Sequence, residues 1–154
     1  MNQAHIHLIV NHVPIVGSLF AAVLLGAGLL QRSITLTKAG LVAVLAAGLL
    51  CLPAQLTGQG AAEIAADLPR VSRALMQNHA AAAELGFWAV EVAAALALFG
   101  LLLFKNASPR AWLLALLALV ATALSFGLLA RAGNLGGQIR HTEIREGFGT
   151  PDEL

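Results

Sequence analysis

The sequence predicts an all-α membrane protein, a bundle of four transmembrane helices arranged as two tandem hairpins. Of its 154 residues, 58% are hydrophobic and only 11% are charged, whereas a soluble domain carries about 25% charged residues. Four apolar runs each approach the roughly 20 residues that span a bilayer. The net charge of +1 gives no indication of a nucleic-acid partner. We therefore expect residues 1–154 to form one transmembrane domain.

The four apolar runs predict helices over about residues 6–31, 37–57, 72–104 and 109–135. No Lys or Arg precedes the first run, unlike the basic start of a cleavable signal peptide, so we expect this helix to be retained. The fourth helix begins at Pro109, which suits a first helical turn. We expect it to loosen at the glycine-rich stretch 133–137.

The links between the runs differ in length. The first and third links, 31–38 and 105–110, are short, so the helices that they join are expected to be antiparallel neighbours. The middle link, 58–77, alternates apolar and polar residues, which predicts a short interfacial helix broken at Pro69. The tail, 146–154, is rich in Gly and Pro and is expected to be irregular.

The basic residues orient the predicted bundle. The two short links contain Arg32, Lys38, Lys105 and Arg110 and no acidic residue. Because cytoplasmic loops carry an excess of Lys and Arg, these links are expected to be cytoplasmic. Both termini and the middle link then face the periplasm, in the inner membrane of a bacterium.

A weak internal repeat fits the two-hairpin arrangement. Asn11-His12 opens the first helix and Asn78-His79 opens the third, and a glycine-containing stretch closes each hairpin. Two parallel hairpins related by an axis along the membrane normal would give this pattern. Chance similarity between Ala- and Leu-rich hairpins is the alternative.

All five histidines fall at the predicted periplasmic end of the bundle: His5, His7, His12, His79 and His141. Histidine is the commonest metal ligand and is costly near hydrocarbon unless its ring nitrogens have partners. This clustering predicts a shared site in the outer leaflet. His141 reaches it if the chain bends back at 136–137.

The spacing of these residues is the same on two helices. His7 and His12 are five residues apart, as are His79 and Glu84. Because the first and third helices run in the same direction, the two pairs are expected to face each other at matching depths.

Three interpretations of the cluster remain open. In the first, haem b is held without covalent attachment by His12 and His79, while His7 and His141 serve a second haem or surround the first, and Arg131 binds a propionate. In the second, a compact Cu, Zn or Fe site uses the same histidines with Glu84. In the third, the histidines are interfacial and bind only water and backbone, as in a structural subunit of a larger complex.

Glu91 is a second candidate functional residue. It lies seven residues beyond Glu84, about 10 Å deeper in the hydrocarbon. Carboxylates inside a membrane are functional candidates by default, and Glu91 is expected on a proton or quinone path. The alternative is a protonated side chain hydrogen-bonded to Ser18, Thr122 or Ser125 of another helix.

Four short motifs carry a resemblance to a known family. They are His7-x4-His12-x-Pro14-Ile15, Thr57-Gly58 at the exit of the second helix, His79 at the start of the third, and Gly136-Gly137-x3-His141. With these motifs the chain resembles, over nearly its whole length, an uncharacterised bacterial family of small four-helix membrane proteins suspected of binding haem. The resemblance implies haem-binding roles for His7, His12, His79 and His141, and none for His5. Leu8 departs from the family pattern, which often has Pro after the first histidine.

Together these observations favour a membrane b-type cytochrome with one or two haems and bis-histidine ligation near the periplasmic side. Such a protein would exchange electrons with quinone or a periplasmic redox protein, as a component of an oxidoreductase. Its expected partners are membrane lipid, one of these redox partners and, in an oligomer, a second copy of the chain.

Overall fold

The structure is a computed structural model that describes residues 1–145 and 147, and all regular structure in this part of the chain is helical. The helices are α1 (Gln3–Val10), α2 (Val13–Leu30), α3 (Ile34–Ala66), α4 (Arg73–Lys105) and α5 (Arg110–Arg140), followed by a short 3₁₀ helix (Thr142–Ile144). Four segments are long and apolar enough to cross a membrane: Gln3–Leu30, which joins α1 and α2, and the three longer helices. The all-helical fold and the four membrane-spanning helices predicted from sequence are thus confirmed. The irregular tail predicted over 146–154 lies, except for Gly147, outside the described residues.

The first predicted helix is divided at Asn11 and His12. Pro14 lies in the first turn of α2, and α1 ends at Val10. A proline has no N–H, and its ring clashes with the carbonyl four residues earlier, which here belongs to Val10. The break in helical hydrogen bonding therefore follows from the sequence, and α1 packs against α3.

The separate interfacial helix predicted over 58–77 is not confirmed, because residues 58–66 continue α3 without interruption. The glycines in this extension lie under α1: a Cβ on Gly58 would contact the ring of His7, and one on Gly60 would clash with Gln3. The contact with α1 explains why the helix passes through two glycines. The link that remains, 67–72, contains Arg70 with φ at 64°.

The fourth predicted helix also extends further than expected. The loosening predicted at 133–137 does not occur, and α5 continues to Arg140. Two of its glycines are in close contact with other helices, Gly133 with Ile15 and Gly136 with the ring of His79. These contacts hold the two glycines in the helical conformation, which glycine leaves easily in an isolated helix.

The four long helices contact one another in a closed ring, in which each contacts the next in the chain and α2 contacts α5. Two of the contacts are backbone to backbone: a Cβ on Gly28 would lie 2.6 Å from the Thr37 nitrogen, and one on Gly40 would lie 2.5 Å from the Leu25 Cα. Small residues permit such close packing of transmembrane helices. The core is accordingly rich in alanine, its fully buried members including Ala21, Ala93, Ala97, Ala115 and Ala118.

The bundle has two different ends. The loop end contains the turns after α2 and α4, and the histidine end contains α1, residues 67–72 and the C-terminus of α5. At the loop end both turns form Schellman motifs, with Ser33 N–H donating to the Gly28 carbonyl and Ser108 N–H donating to the Leu103 carbonyl. The left-handed position that usually takes glycine is occupied by Arg32 and Ala107 in these two turns.

Candidate histidine site

The structure separates the five histidines into two groups. The rings of His7 and His79 are half-buried, whereas His5, His12 and His141 are exposed. His7 lies on α1 and His79 in the second turn of α4, so two different helices bring them together. The two rings that the structure brings together are those of His7 and His79. The ligand pair of His12 and His79, which the Asn-His repeat favours, stays a prediction.

His7 is held against the C-terminal half of α3. Its Nδ1 lies 3.0 Å from the Ala54 carbonyl oxygen and 3.2 Å from the Thr57 hydroxyl. A carbonyl oxygen can only accept, so Nδ1 must carry the proton and donate. The Thr57 hydroxyl donates to the Pro53 carbonyl at 2.7 Å, which leaves its lone pairs free to accept from His7.

His79 is held in the same manner against α5. Its Nδ1 lies 2.8 Å from the Ala132 carbonyl oxygen and therefore also carries the proton. A Cβ on Gly136 would lie 3.1 Å from Cε1 and 3.2 Å from Nδ1 of this ring. The absence of a side chain at Gly136 thus makes room for the imidazole.

The two contacts share one local design. Each acceptor carbonyl belongs to an alanine that is followed four residues later by a glycine, Ala54 by Gly58 and Ala132 by Gly136. In a helix the residue at i+4 lies directly over the carbonyl of residue i, so a glycine there opens the carbonyl to a ring from a neighbouring helix. The same Ala-x3-Gly pattern occurs at 22/26, 82/86 and 123/127, so the pattern alone does not identify the two histidines from the sequence.

The two rings are neighbours at the histidine end of the bundle. Their centroids are 6.4 Å apart and their planes are nearly perpendicular, at 83°. With Nδ1 protonated in both, each Nε2 has a free lone pair, and neither receives a hydrogen bond from the described residues 1–145 and 147. Two imidazoles on opposite sides of one metal ion, at nitrogen–metal distances of about 2 Å, would have centroids about 6 Å apart.

The remaining predicted ligands lie away from this pair. His12 is the N-cap residue of α2 and its side chain makes no capping hydrogen bond. Glu84 and Arg131 are both exposed. They form no ion pair with each other, since the one ion pair among the described residues joins His141 to Glu143.

His141 ends α5 and does not bend back toward the other histidines. Its Nδ1 lies 2.8 Å from Oε1 of Glu143, and both side chains are exposed. The pKa of Glu143 is held below its ordinary value, first by its own backbone N–H and then by the ring of His141. His141 thus has a local partner of its own, as expected for a surface residue.

Nowhere in residues 1–145 and 147 do three or more His, Cys, Asp or Glu side chains come together as a metal-binding group. The compact arrangement of three or four ligands with Glu84, one of the sequence interpretations, is not formed in this part of the chain. The arrangement that is formed is a pair of imidazoles.

Glu91 is partly buried, with its carboxylate on the face of α4 toward α3. Its Oε1 is buried without a hydrogen-bond partner among the described residues. A Cβ on Gly48 of α3 would lie 3.7 Å from this oxygen. The hydroxyls of Thr122 and Ser125 donate instead to carbonyls of α5, at 2.6 and 2.7 Å, and are not bonded to Glu91.

Comparison with known proteins adds no relative: no protein-family model, no curated protein and no solved structure matches this chain. The family resemblance drawn from the short motifs therefore stays a prediction.

Proposed function

We propose that the protein is a membrane b-type cytochrome that binds haem non-covalently through the Nε2 atoms of His7 and His79. The observation that carries this proposal is the pair of Nδ1–H donors to the Ala54 and Ala132 carbonyls. A hydrogen bond from Nδ1 to a backbone carbonyl is the usual partner interaction of a metal-ligating histidine, since it fixes the tautomer and aims Nε2.

A pair of imidazoles suits haem better than a bare metal ion. A structural zinc site takes four protein ligands, and the histidine end offers two half-buried rings. Haem brings four nitrogens of its own and needs only axial ligands from the protein. The ring separation of 6.4 Å would allow both imidazoles to bind one iron. The residues present thus fit the cofactor, with His7 and His79 as its ligands.

Haem in this position would supply one-electron transfer near one membrane surface. The protein's own contribution is to hold the two rings, to fix their tautomers and to cover the site with α1. The electron partner proposed from the sequence is quinone or a periplasmic redox protein, with the histidine end in the periplasm. The two short links at the loop end contain four basic residues and no acidic one, which supports that orientation.

The test is an absorption spectrum of protein purified after expression with added haem, followed by a pyridine haemochrome assay. We expect a Soret band with about one haem per chain. His7→Ala and His79→Ala should each abolish the band, because each removes an axial ligand. His5→Ala and His141→Ala, which remove exposed rings of the same type, should keep it.

His12→Ala distinguishes the ligand pair His7 and His79 from the pair His12 and His79 that the Asn-His repeat favours. We expect this variant to retain its haem. Loss of haem in His12→Ala with retention in His7→Ala would overturn the assignment of the ligands. Absence of a Soret band from the unaltered protein would overturn the cytochrome proposal, and stoichiometric Cu, Zn or Fe in that protein would favour the bare metal instead.

We propose further that Glu91 lies on the proton path to a quinone. It is twelve residues below His79 on α4, a depth of about 18 Å, and its buried Oε1 lacks a partner among the described residues. An unpaired intramembrane carboxyl is expected to be neutral and able to exchange a proton.

Glu91→Gln keeps the shape of the side chain and removes its acid. It should leave haem content unchanged and slow reduction of the haem by a soluble quinol at least tenfold. Glu84→Gln makes the same change at an exposed site of α4 and should stay within twofold. Equal rates in the two variants would remove Glu91 from the path.

A further inference from the structure

A second candidate site lies at the loop end, far from the histidines. Leu29, Arg32 and Trp112 line a surface groove beside the turn that joins α2 to α3. The indole of Trp112 packs edge-to-face on Phe104, with ring centroids 5.4 Å apart. The groove thus has a fixed apolar wall and one exposed guanidinium at its rim.

The backbone of Arg32 is unusual for a residue with a side chain. Its φ is 50°, in the left-handed region that glycine prefers at this position of a Schellman motif. The N–H of Arg32 donates to the Leu29 carbonyl and that of Ser33 to the Gly28 carbonyl, so the turn itself fixes this conformation. The turn therefore holds Arg32 at a fixed point on the rim of the groove, beside Leu29 and Trp112.

Within residues 1–145 and 147, no ion pair involves the basic residues at this end. Arg32, Lys38, Lys105 and Arg110 lie here, and none of the eight acidic residues lies in either short link. Arg110 is the first residue of α5, where the helix dipole disfavours a cation. An anion from outside the chain would therefore be attracted to this surface.

We propose that the groove binds the anionic headgroup of a membrane phospholipid. The phosphate accepts hydrogen bonds from the guanidinium of Arg32, while Leu29 and Trp112 contact the glycerol and the first acyl carbons. Basic pockets at the membrane surface and interfacial tryptophans are known features of such recognition. This proposal concerns the opposite end from the haem site and does not depend on it.

The experiment uses the two tryptophans of the chain. In a Trp88→Phe background, Trp112 is the only indole, and it reports lipid at the groove through quenching by brominated acyl chains. The protein is reconstituted in phosphatidylcholine with increasing brominated phosphatidylglycerol, and in a parallel series with brominated phosphatidylcholine. We expect quenching by the glycerol lipid to reach its half-maximum at a several-fold lower mole fraction.

Arg32→Gly removes the guanidinium and also relaxes the left-handed backbone, so this variant should fold at least as well as the parent protein. Its preference for phosphatidylglycerol should fall at least fivefold, because the hydrogen bonds of the guanidinium to the phosphate are lost together with its charge. Lys105→Gln removes the same charge from the same end without lining the groove, and its preference should change less than twofold.

Three results would overturn the proposal. One is equal quenching of Trp112 by the two brominated lipids. Another is an equal loss of preference in Arg32→Gly and Lys105→Gln, which would mean that the surface attracts anionic lipid only through its overall charge. The third is relief of the quenching by soluble glycerol phosphate at millimolar concentration, which would identify a free phosphate ester as the ligand.

Discussion

Substitution of Gly136 by alanine tests how the histidine site is built. The new Cβ would lie 3.1 Å from Cε1 and 3.2 Å from Nδ1 of His79, whereas carbon atoms in ordinary contact are about 3.5–4.0 Å apart. The ring must therefore retreat by roughly half an ångström. Its hydrogen bond to the Ala132 carbonyl would then lengthen from 2.8 Å to beyond 3 Å.

The size of the effect follows from that hydrogen bond. A weakened hydrogen bond of this kind costs about 0.5–1.5 kcal/mol, and disturbing the partner of a ligating histidine costs about 10- to 100-fold in affinity. We expect Gly136→Ala to weaken haem binding about tenfold, measured by titration of the protein with haemin and the Soret absorbance.

Gly127→Ala is the matched control. It makes the same change on the same helix at a position where a Cβ would meet nothing within 4 Å. The ligand-free proteins provide a second readout, in which Gly136→Ala should unfold at a lower temperature than Gly127→Ala. Equal haem affinity and equal melting temperature in the two variants would refute the account of the Gly136 contact.

Two further predictions concern stability, measured by thermal unfolding in detergent and followed by circular dichroism. Gly40→Ala would place a Cβ 2.5 Å from the Leu25 Cα. The resulting overpacking costs about 1–3 kcal/mol and should exceed the gain in helix propensity of about 1 kcal/mol, so the melting temperature should fall relative to Gly127→Ala. An unchanged melting temperature would contradict the close approach of α2 and α3. Ala107→Gly should raise stability by about 0.5–1 kcal/mol, because alanine is disfavoured at a φ of 52°, whereas Ser108→Gly in the same turn should not.

The membrane-spanning helices could be predicted from the sequence because their signal is local. Length and hydropathy of each run decide whether it can cross a bilayer, and neither depends on the neighbouring helices. The ends of the helices could not be predicted in the same way. Gly58 and Gly136 look like helix terminators in the sequence, and both are helical because another helix packs on them.

Two partners for His79 could be drawn from the sequence, and they disagree. The equal spacing of His7-x4-His12 and His79-x4-Glu84 placed His7 at the depth of His79, whereas the Asn-His repeat paired His12 with His79. In the structure the rings of His7 and His79 lie close together, with centroids 6.4 Å apart. The choice of His12 as a ligand, which rested on the repeat, stays a prediction.

The contacts of His7 and His79 indicate a different correspondence between the two halves of the chain. The dipeptides Asn11-His12 and Asn78-His79 suggested that His12 and His79 are equivalent. The contacts instead make His7 equivalent to His79, since each donates from Nδ1 to an alanine carbonyl.

The acceptors extend this equivalence to two further positions. Ala54 and Gly58 in α3 correspond to Ala132 and Gly136 in α5. In the proposed arrangement of two related hairpins, a ligand bound by both Nε2 atoms would contact both halves alike. A flat, nearly symmetric ligand such as haem satisfies that condition with one site per chain. The same equivalence leaves His12, His5 and His141 without counterparts, which is why substitution of these three residues is expected to leave the site intact.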